Sequence, residues 1–323
     1  MGDVIHNLPI VGDICTAIPD AQIDWVVEEP FAEIPRLHAR VQQIIPVAFR
    51  RWRSRLLSKS TWRDLRRLKQ QLQATRYDVV LDSQGLLKSA WVTARARGSK
   101  CGYDWRSARE PLASRFYDQR FFVSKDQHAV RRNRALAARA LGYPIPNDTP
   151  DYGLRGIAMS VANGTTSMLP TILDLKPPYV VCLHATSRAR KHWPEEYWQQ
   201  LLRHLVHAGI TPVLPWGNAH EEVRARCLAR DVPKAWVLPR LGLTQLAEVM
   251  TNARAVVGVD TGLVHLAVAL DRPTVALYTD TNPHLTGLLG RDRRYAINLG
   301  HAQTIPTVAE VIAALDAMQV CQP

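Results

Sequence analysis

The 323-residue chain has little cysteine and no long apolar run. Its five cysteines are scattered, odd in number and free of the Cys-x-x-Cys and Cys/His spacings of metal sites, so we expect reduced thiols and no metal site. No run of about 18 apolar residues occurs, which argues against a membrane-spanning helix. The N-terminus also lacks the basic-then-apolar pattern of a signal peptide, so we expect a cytoplasmic chain.

Acidic residues are scarce in the first half. Residues 1–150 contain 25 Lys and Arg against 15 Asp and Glu, whereas residues 151–323 contain 16 against 14. Between Arg36 and Lys69, 11 basic residues accompany a single acid, Asp64. Such a charge distribution attracts nucleic acid, an anionic lipid surface or an acidic small molecule.

The segment Phe49–Arg55 narrows this choice of partner. It mixes arginines, whose planar guanidinium binds phosphate and carboxylate, with a tryptophan, which suits a lipid–water interface. No known nucleic-acid-binding motif accompanies it. The segment therefore favours an anionic, membrane-borne partner and no nucleic acid.

Short apolar runs alternate with helical patterns, most regularly in the second half. The strands predicted there are Tyr179–His184, Ile210–Leu214, Ala255–Val259 and Thr274–Tyr278. The helices predicted between and after them are Glu195–His207, Glu221–Arg230, Leu243–Asn252 and Leu263–Leu270. This alternation indicates parallel sheets with right-handed crossovers.

Gly, Pro, Asn and Thr accumulate between Tyr143 and Pro178 and indicate a domain boundary. We expect an α/β protein with two doubly wound parallel-sheet domains, residues 1–160 and 161–305, facing each other across a cleft. Ligands bind such sheets beyond the carboxyl ends of the strands. Residues 306–323 contain a C-terminal helix, which two-domain proteins of this kind often return to the first domain.

Two segments predict a diphosphate site. His184–Pro194 and Val257–His265 each combine an apolar strand, small hydroxylated or glycine residues and a helical pattern, which presents backbone N–H groups to phosphate. Two such turns suggest one diphosphate held from two sides. Gly262 permits close backbone approach, although Asp260 or Thr261 could equally serve only as a helix cap.

Three further side chains are candidates for chemistry. Lys191 can place a point charge on a departing phosphate. Glu221 follows a strand of a nucleotide-binding pattern, where a carboxylate often accepts hydrogen bonds from ribose, but an acid there also stabilises a helix N-terminus. Asp3 begins a helical pattern and is either a general base or an N-cap.

Six segments spread over nearly the whole chain resemble those of bacterial ADP-heptose:lipopolysaccharide heptosyltransferases, most closely the type I branch. These segments are Met1–Pro9, Asp24–Glu29, Asp82–Ser89, Asp104–Pro111, Lys191–Glu196 and Val259–His265. The resemblance implies a GT-B fold, with two Rossmann-like domains that hold acceptor and donor. It also implies inverting transfer of L-glycero-D-manno-heptose from ADP-heptose to the first Kdo of Kdo2-lipid A. That reaction would take place at the inner face of the Gram-negative inner membrane, with no cofactor.

The resemblance further implies a general base, a donor site and an acceptor site. Asp3 matches the base, and Lys191 matches the cation that offsets the charge of the departing ADP. The residues that match donor-binding positions are Thr186, Ser187, Lys191, Glu221, Asp260, Thr261, Gly262 and His265. Of these, Asp260 would contact heptose hydroxyls and Glu221 the ribose. The residues that match acceptor-binding positions are Arg50, Arg53 and Arg109.

One departure from the family concerns the start of the chain. In the family about ten residues precede the Gly-Asp step and form a central strand, whose absence would expose neighbouring strand edges and leave Asp3 on a frayed terminus. This departure makes an inactive protein that binds an ADP-sugar or anionic lipid one alternative to the main prediction. Independently of it, a different core heptosyltransferase of type II is a second alternative.

Overall fold

The computed structural model describes residues 1–55, 57–154, 175, 178–292 and 294–321. The chain forms two compact units: the N-terminal unit, His6–Asp148, and the C-terminal unit, which combines Thr149–Pro323 with Met1–Ile5. The predicted boundary at residue 160 lies outside the described residues. The first helix, α1 (Gly2–Ile5), thus belongs to the same unit as the residues from Thr149 onward.

The described residues of the N-terminal unit contain five strands in two separate parallel sheets. They are β1 (Ile23–Glu28), β2 (Val41–Val47), β3 (Arg76–Asp82), β4 (Arg97–Tyr103) and β5 (Gln119–Phe121). One sheet pairs β1 with β2, and the other has the order β3-β4-β5. No ladder joins the two sheets in the part of the chain that the structure describes. A side-chain hydrogen bond links them, because Tyr77 Oη donates to Asp24 Oδ2 at 2.7 Å.

Helices cover these sheets. They are α2 (Leu8–Ala17), α3 (Glu33–Arg36), α4 (Phe49–Ser54), α5 (Lys59–Ala74), α6 (Leu87–Thr93) and α7 (Ala129–Leu141). Helix α5 begins after Ser58, whose Oγ accepts from the N–H of Ser60 at 3.3 Å and so caps the helix. Leu68 and Leu72 on its inner face pack into an apolar cluster with residues of β2 and α6.

In its described residues, the C-terminal unit is built on one continuous sheet of six parallel strands. They are β6 (Tyr179–Leu183), β7 (Thr211–Leu214), β8 (Trp236–Val237), β9 (Ala255–Val259), β10 (Thr274–Leu277) and β11 (Ala296–Leu299). Their order is β11-β10-β9-β6-β7-β8. Every residue of β6, β9 and β10 is buried, as expected for a parallel sheet covered on both faces. The predicted parallel α/β architecture is confirmed here.

The helices described in this unit after β6 flank the sheet. They are α8 (Glu195–His207), α9 (Ala219–Ala229), α10 (Leu243–Asn252), α11 (Gly262–Ala269), α12 (Pro283–Thr286) and α13 (Val308–Ala317). Helices α8 and α10 have the predicted bounds, and α9 begins two residues earlier than expected. Among the described residues, no helix has the length and apolar character needed to span a membrane.

The C-terminal helix α13 lies in the C-terminal unit, which differs from the expectation that it returns to the first domain. Val311 and Leu315 are completely buried in the core cluster of this unit, where α13 packs on α8, β10 and β11. The indole of the fully buried Trp193 donates to the carbonyl of Pro306 at 2.8 Å just before the helix. The apolar face of α13 is therefore used to cover the six-stranded sheet.

Candidate active site

The carboxyl ends of β6, β9 and β10 lie side by side, because these three strands are neighbours in the sheet. The segments that follow them are His184–Pro194, Asp260–Gly262 and Tyr278–Asn282. The first two are the turns predicted to bind a diphosphate. The strand order places both turns, together with the segment after β10, at the same edge of the sheet. Parallel sheets bind their ligands at this edge.

Asp260 connects these three segments. Its Oδ2 lies 2.5 Å from Lys191 Nζ and accepts a hydrogen bond from Thr281 Oγ1, also at 2.5 Å. Its backbone carbonyl accepts from Thr186 Oγ1 at 3.3 Å. The side chains of Lys191 and Asp260 are only 15% and 14% exposed, so their charges interact with little screening by water. The arrangement offers a cation and a hydrogen-bonding carboxylate to one ligand.

A second contact joins the first and third segments further out. Arg190 Nε lies 2.8 Å from Asp280 Oδ2, and the backbone carbonyl of Arg190 accepts from Thr279 Oγ1 at 2.8 Å. The Arg190 side chain is 66% exposed, whereas the adjacent Lys191 is mostly buried. Of these two neighbouring cations, Lys191 is the one directed at the Asp260 cluster.

The turn after β9 leads directly into α11. Thr261 occupies the N-cap position with extended backbone, and its side chain makes no capping hydrogen bond. A Cβ added at Gly262 would lie 2.6 Å from Met1 Cβ, so the lack of a side chain at Gly262 leaves space for Met1. Gly262 also contributes its backbone N–H to the N-terminus of α11. His265, one turn into α11, is buried. The N-terminus of α11 supplies the partial positive charge expected at an anion site.

Arg224 of α9 ties the two ends of the Lys191 segment together. Its guanidinium donates to the carbonyl of His184 at 3.4 Å and to the carbonyl of Trp193 at 3.2 Å, and it forms an ion pair with Glu195. Between these anchors, Thr186 is half-buried and Ser187 is exposed. One side chain thus fixes the entry and exit of the segment that carries Thr186, Ser187 and Lys191.

Two histidines of this segment have a lowered pKa. Complete burial, together with the nearby charge of Arg224, lowers the pKa of His184 to about 4. Burial and the same arginine also lower the pKa of His192. The His192 ring lies 3.2 Å from the carbonyl of Thr186 through Nε2, which closes the segment on itself. The cationic character of the segment therefore comes from Lys191 and the arginines.

Glu221 lies at the start of α9 and takes part in capping. Asn218 Oδ1 accepts from the Glu221 N–H at 3.0 Å, while Glu221 Oε1 accepts from Asn218 Nδ2 at 2.7 Å. Glu221 Oε2 accepts from the Gly217 N–H at 2.8 Å. The structure shows the capping role considered in the sequence analysis, and the predicted ribose contact stays a prediction.

Asp3 lies on α1, which packs against α11 in the C-terminal unit. A Cβ added at the preceding Gly2 would lie 3.8 Å from the ring of His265. The predicted general base is therefore on a helix in contact with α11, which follows the turn predicted to bind a diphosphate. The structure differs from the expected frayed terminus, because α1 is stabilised by buried Val4 and Ile5.

The predicted acceptor residues lie in the N-terminal unit. Arg50 and Arg53 are exposed residues three positions apart on α4, on neighbouring parts of its surface. The backbone N–H of Arg50 donates to Glu28 Oε1 at 3.1 Å, which attaches α4 to the end of β1. Arg109 is also exposed and follows β4.

A buried hydrogen-bond network shapes the backbone beside Arg109. Asp82, at the end of β3, accepts from Tyr117 Oη at 2.6 Å and from the N–H of Gly85 at 3.1 Å. Gly85 has a φ of +63°, and a Cβ there would lie 3.2 Å from the Cα of Ala108. The glycine therefore permits the close approach of two segments that the sequence analysis had matched separately.

Sequence reasoning missed Thr281 and Arg224. Ligands bind at the carboxyl ends of parallel strands, and the strand Thr274–Tyr278 was predicted. Applying this rule to the segment after that strand would have pointed to Thr281. Arg224 had no such signal, because its contacts join α9 to residues that precede it by 31 and 40 positions. Among the described residues, no group of three or more His, Cys, Asp or Glu side chains is arranged to hold a metal ion.

Comparison with solved structures identifies the class of protein. The structure matches Escherichia coli heptosyltransferase WaaC with ADP at a TM-score of 0.88 and 44% identity, over 98% of this chain and 96% of that chain. It matches E. coli WaaC with ADP-2-deoxy-2-fluoro heptose at a TM-score of 0.85 and 43% identity, over the same shares. The fold is that of a GT-B glycosyltransferase, as predicted.

Sequence comparison gives the family. The model of glycosyltransferase family 9 (heptosyltransferase) matches residues 65–314. Lipopolysaccharide heptosyltransferase 1 of Pseudomonas aeruginosa is 49% identical over 294 residues, which are 91% of this chain and 80% of that protein. The chain belongs to glycosyltransferase family 9, the heptosyltransferases.

Proposed function

We propose that the protein transfers L-glycero-D-manno-heptose from ADP-heptose to the first Kdo of Kdo2-lipid A during synthesis of the lipopolysaccharide inner core. Membership of family 9 and the similarity to a lipopolysaccharide heptosyltransferase 1 support this reaction. The observation that carries the proposal is the Lys191–Asp260 pair at the carboxyl edge of the six-stranded sheet. It combines a cation for a diphosphate with a carboxylate for sugar hydroxyls.

On the donor side, ADP-heptose would bind at this edge. The E. coli structures with ADP and with an ADP-heptose analogue support a nucleotide-sugar donor. The diphosphate would be held between Lys191 with Thr186 and Ser187, and the turn of Thr261, Gly262 and His265. Asp260 would accept hydrogen bonds from heptose hydroxyls, and Glu221 would contact the ribose.

The reaction would be a single displacement. The acceptor hydroxyl oxygen attacks the anomeric carbon while the bond from that carbon to the β-phosphate oxygen breaks, and ADP leaves with the electron pair. The Asp3 carboxylate accepts the hydroxyl proton. Lys191 and the N-terminus of α11 stabilise the charge that grows on the departing ADP. Attack opposite the leaving group inverts the anomeric configuration.

On the acceptor side, Arg50, Arg53 and Arg109 would bind the carboxylates and phosphates of Kdo2-lipid A. All three are exposed cations of the N-terminal unit, whose sequence carries most of the excess positive charge. Guanidinium groups match both kinds of anion with paired hydrogen bonds. Because the acceptor is a lipid, the enzyme would work as a peripheral protein on the cytoplasmic face of the inner membrane.

The test is a transfer assay with the full chain, ADP-heptose and Kdo2-lipid A. Mass spectrometry should show a product that has gained one heptose, with an equal amount of ADP released, and NMR should show the inverted anomer. An acceptor that already carries the first heptose should not react. Transfer to that acceptor alone would instead identify a type II core heptosyltransferase, and donor binding without any transfer would identify an inactive ADP-sugar-binding protein.

A further inference from the structure

Helix α5 of the N-terminal unit has two chemically different faces. Thr61, Leu68 and Leu72 are its buried residues and face the core of the unit. Lys59, Arg63 and Arg66 are exposed and follow one another at helical spacings of four and three positions, so they form a stripe on the opposite side. We call this exposed side of α5, together with Leu57 just before it, the basic face.

Two large apolar residues adjoin the stripe. Trp62 is 58% exposed and precedes Arg66 by four positions on the same helix. Leu57, in the turn before α5, is 98% exposed. Exposed apolar side chains at the border of a cationic surface are suited to the headgroup layer of a bilayer, where indole rings reside at the polar–apolar boundary.

No acid among the described residues forms an ion pair with the cations of the basic face. Asp64, the acid of this region, lies 2.8 Å from Arg51 Nη1 and accepts from Trp52 Nε1 at 3.3 Å. Within the described residues, Lys59, Arg63 and Arg66 form no ion pair. The carboxylate of Asp64 therefore joins α4 to α5. The positive charges of Lys59, Arg63 and Arg66 stay available to bind a partner.

We propose that the basic face of α5 docks on an anionic lipid bilayer, with Trp62 and Leu57 entering the headgroup layer. Charge complementarity selects an anionic surface, and the exposed indole and leucine favour lipid over nucleic acid. This docking extends the proposed function. It rests on that function only in assuming that the acceptor is a lipid. Arg50, Arg53 and Arg109 would bind the acceptor itself, whereas α5 would bind the surrounding membrane.

The first experiment measures co-sedimentation of the full chain with vesicles that contain no acceptor. Binding should occur to phosphatidylcholine vesicles with about 30 mol% phosphatidylglycerol, should be weak on pure phosphatidylcholine, and should fall as salt is raised from about 0.05 to about 0.5 M. The Arg63→Gln/Arg66→Gln variant should bind roughly 25-fold more weakly, about fivefold for each charge. Arg63→Lys/Arg66→Lys should bind like the wild type.

The matched control is Arg131→Gln/Arg139→Gln, which removes the same charge from exposed positions on α7 of the same unit. It should change vesicle binding by less than about twofold. A separate Trp62→Ser variant should lose the part of the binding that survives high salt. Equal weakening by the α5 and α7 pairs, or wild-type binding that does not distinguish anionic from neutral vesicles, would overturn the proposal. So would loss of duplex DNA binding in the α5 pair with vesicle binding intact.

The second experiment separates docking from catalysis. Transfer should be compared on Kdo2-lipid A in anionic vesicles and on its deacylated, water-soluble form. Arg63→Gln/Arg66→Gln should transfer heptose normally to the soluble acceptor and poorly to the vesicle-bound one. Absence of transfer to either acceptor by the wild type would refute the proposed function, whereas equal loss on both acceptors in the variant would refute the docking face.

Discussion

The two units share a plan of parallel strands and covering helices, but they use it differently. In the C-terminal unit, six strands form one sheet, and three neighbouring strands deliver Lys191, Asp260 and Thr281 to a shared edge. In the N-terminal unit, the strands form two smaller sheets, and the candidate binding residues are exposed cations outside the strands.

This difference fits the proposed function, in which the two units bind different substrates. A continuous sheet fixes side chains from distant segments within hydrogen-bond distance, which suits the positioning of a reactive donor. Exposed arginines on helices and loops attract an anion without fixing it tightly, which suits a large lipid acceptor. Variants of the C-terminal unit should therefore impair donor use or turnover, and variants of the N-terminal unit should impair acceptor use.

The largest effect is expected at Asp3. Asp3→Asn should lower kcat roughly 1000-fold, because a positioned general base contributes about 100- to 10,000-fold. Calorimetry should show unchanged ADP-heptose binding. Asp20→Asn, which removes an exposed carboxylate from the N-terminal unit, is the control and should be fully active. Near-normal turnover of Asp3→Asn would exclude Asp3 as the base.

The effect of Lys191 can be compared with that of its neighbour Arg190, which carries the same charge and serves as a control. Lys191→Ala should lower kcat/KM roughly 100-fold through loss of charge stabilisation on the departing ADP. Arg190→Ala removes an equal charge that is mostly exposed and paired with Asp280, so activity should fall by less than about threefold. Steady-state kinetics with varied ADP-heptose would measure both, and equal losses would indicate a general effect of charge.

The pH dependence of the free energy of unfolding should reveal the lowered pKa of His184. In the folded protein this group stays neutral down to its pKa of about 4, whereas in the unfolded chain it gains a proton below about 6.5. Stability is therefore complete above pH 6.5 and decreases as pH falls toward 4, by about 2 kcal/mol between pH 7 and pH 5. Urea unfolding should show a weaker pH dependence for His184→Gln, but not for His220→Gln at an exposed position.

Thr281 should have a moderate effect on the donor side. Thr281→Val removes the hydrogen bond to Asp260 Oδ2 and should raise the KM for ADP-heptose roughly tenfold, as expected for a hydrogen bond to a charged group. Thr281→Ser keeps the hydroxyl and should restore the wild-type value. If both variants behave alike, the hydroxyl of Thr281 has no positioning role.

The smallest effect is expected on the acceptor side. Arg50→Ala/Arg53→Ala should raise the acceptor KM roughly fivefold, since each exposed cation contributes less than about 1 kcal/mol. The KM for ADP-heptose should stay constant. A change confined to the donor would contradict the assignment of acceptor binding to the N-terminal unit.

Local sequence patterns predicted much of the C-terminal unit. Helices α8 and α10 have the expected bounds, and Lys191 and Asp260 lie where two strand-to-helix turns were recognised. These features depend on apolar periodicity and turn residues that are close in the chain. The contact of Thr281 with Asp260 depends on the adjacency of β9 and β10, which no local pattern encodes.

The N-terminal unit was less predictable for the same physical reason. Strand β2 went unrecognised because Gln42 and Gln43 interrupt its apolar pattern and are exposed. The packing of α1 on α11 joins residues near position 2 to residues near position 262, so it could be found only in three dimensions.

That packing has a consequence for dissecting the protein. Because Met1–Ile5 belongs to the C-terminal unit, the polypeptide passes between units twice, at Ile5/His6 and at Asp148/Thr149. A genetic cut at residue 148 would leave the segment that contains Asp3 on the wrong fragment and uncover the surface around Gly262. A circular permutant that links the C-terminus to Met1 and opens the chain after Ile5 would make each unit contiguous.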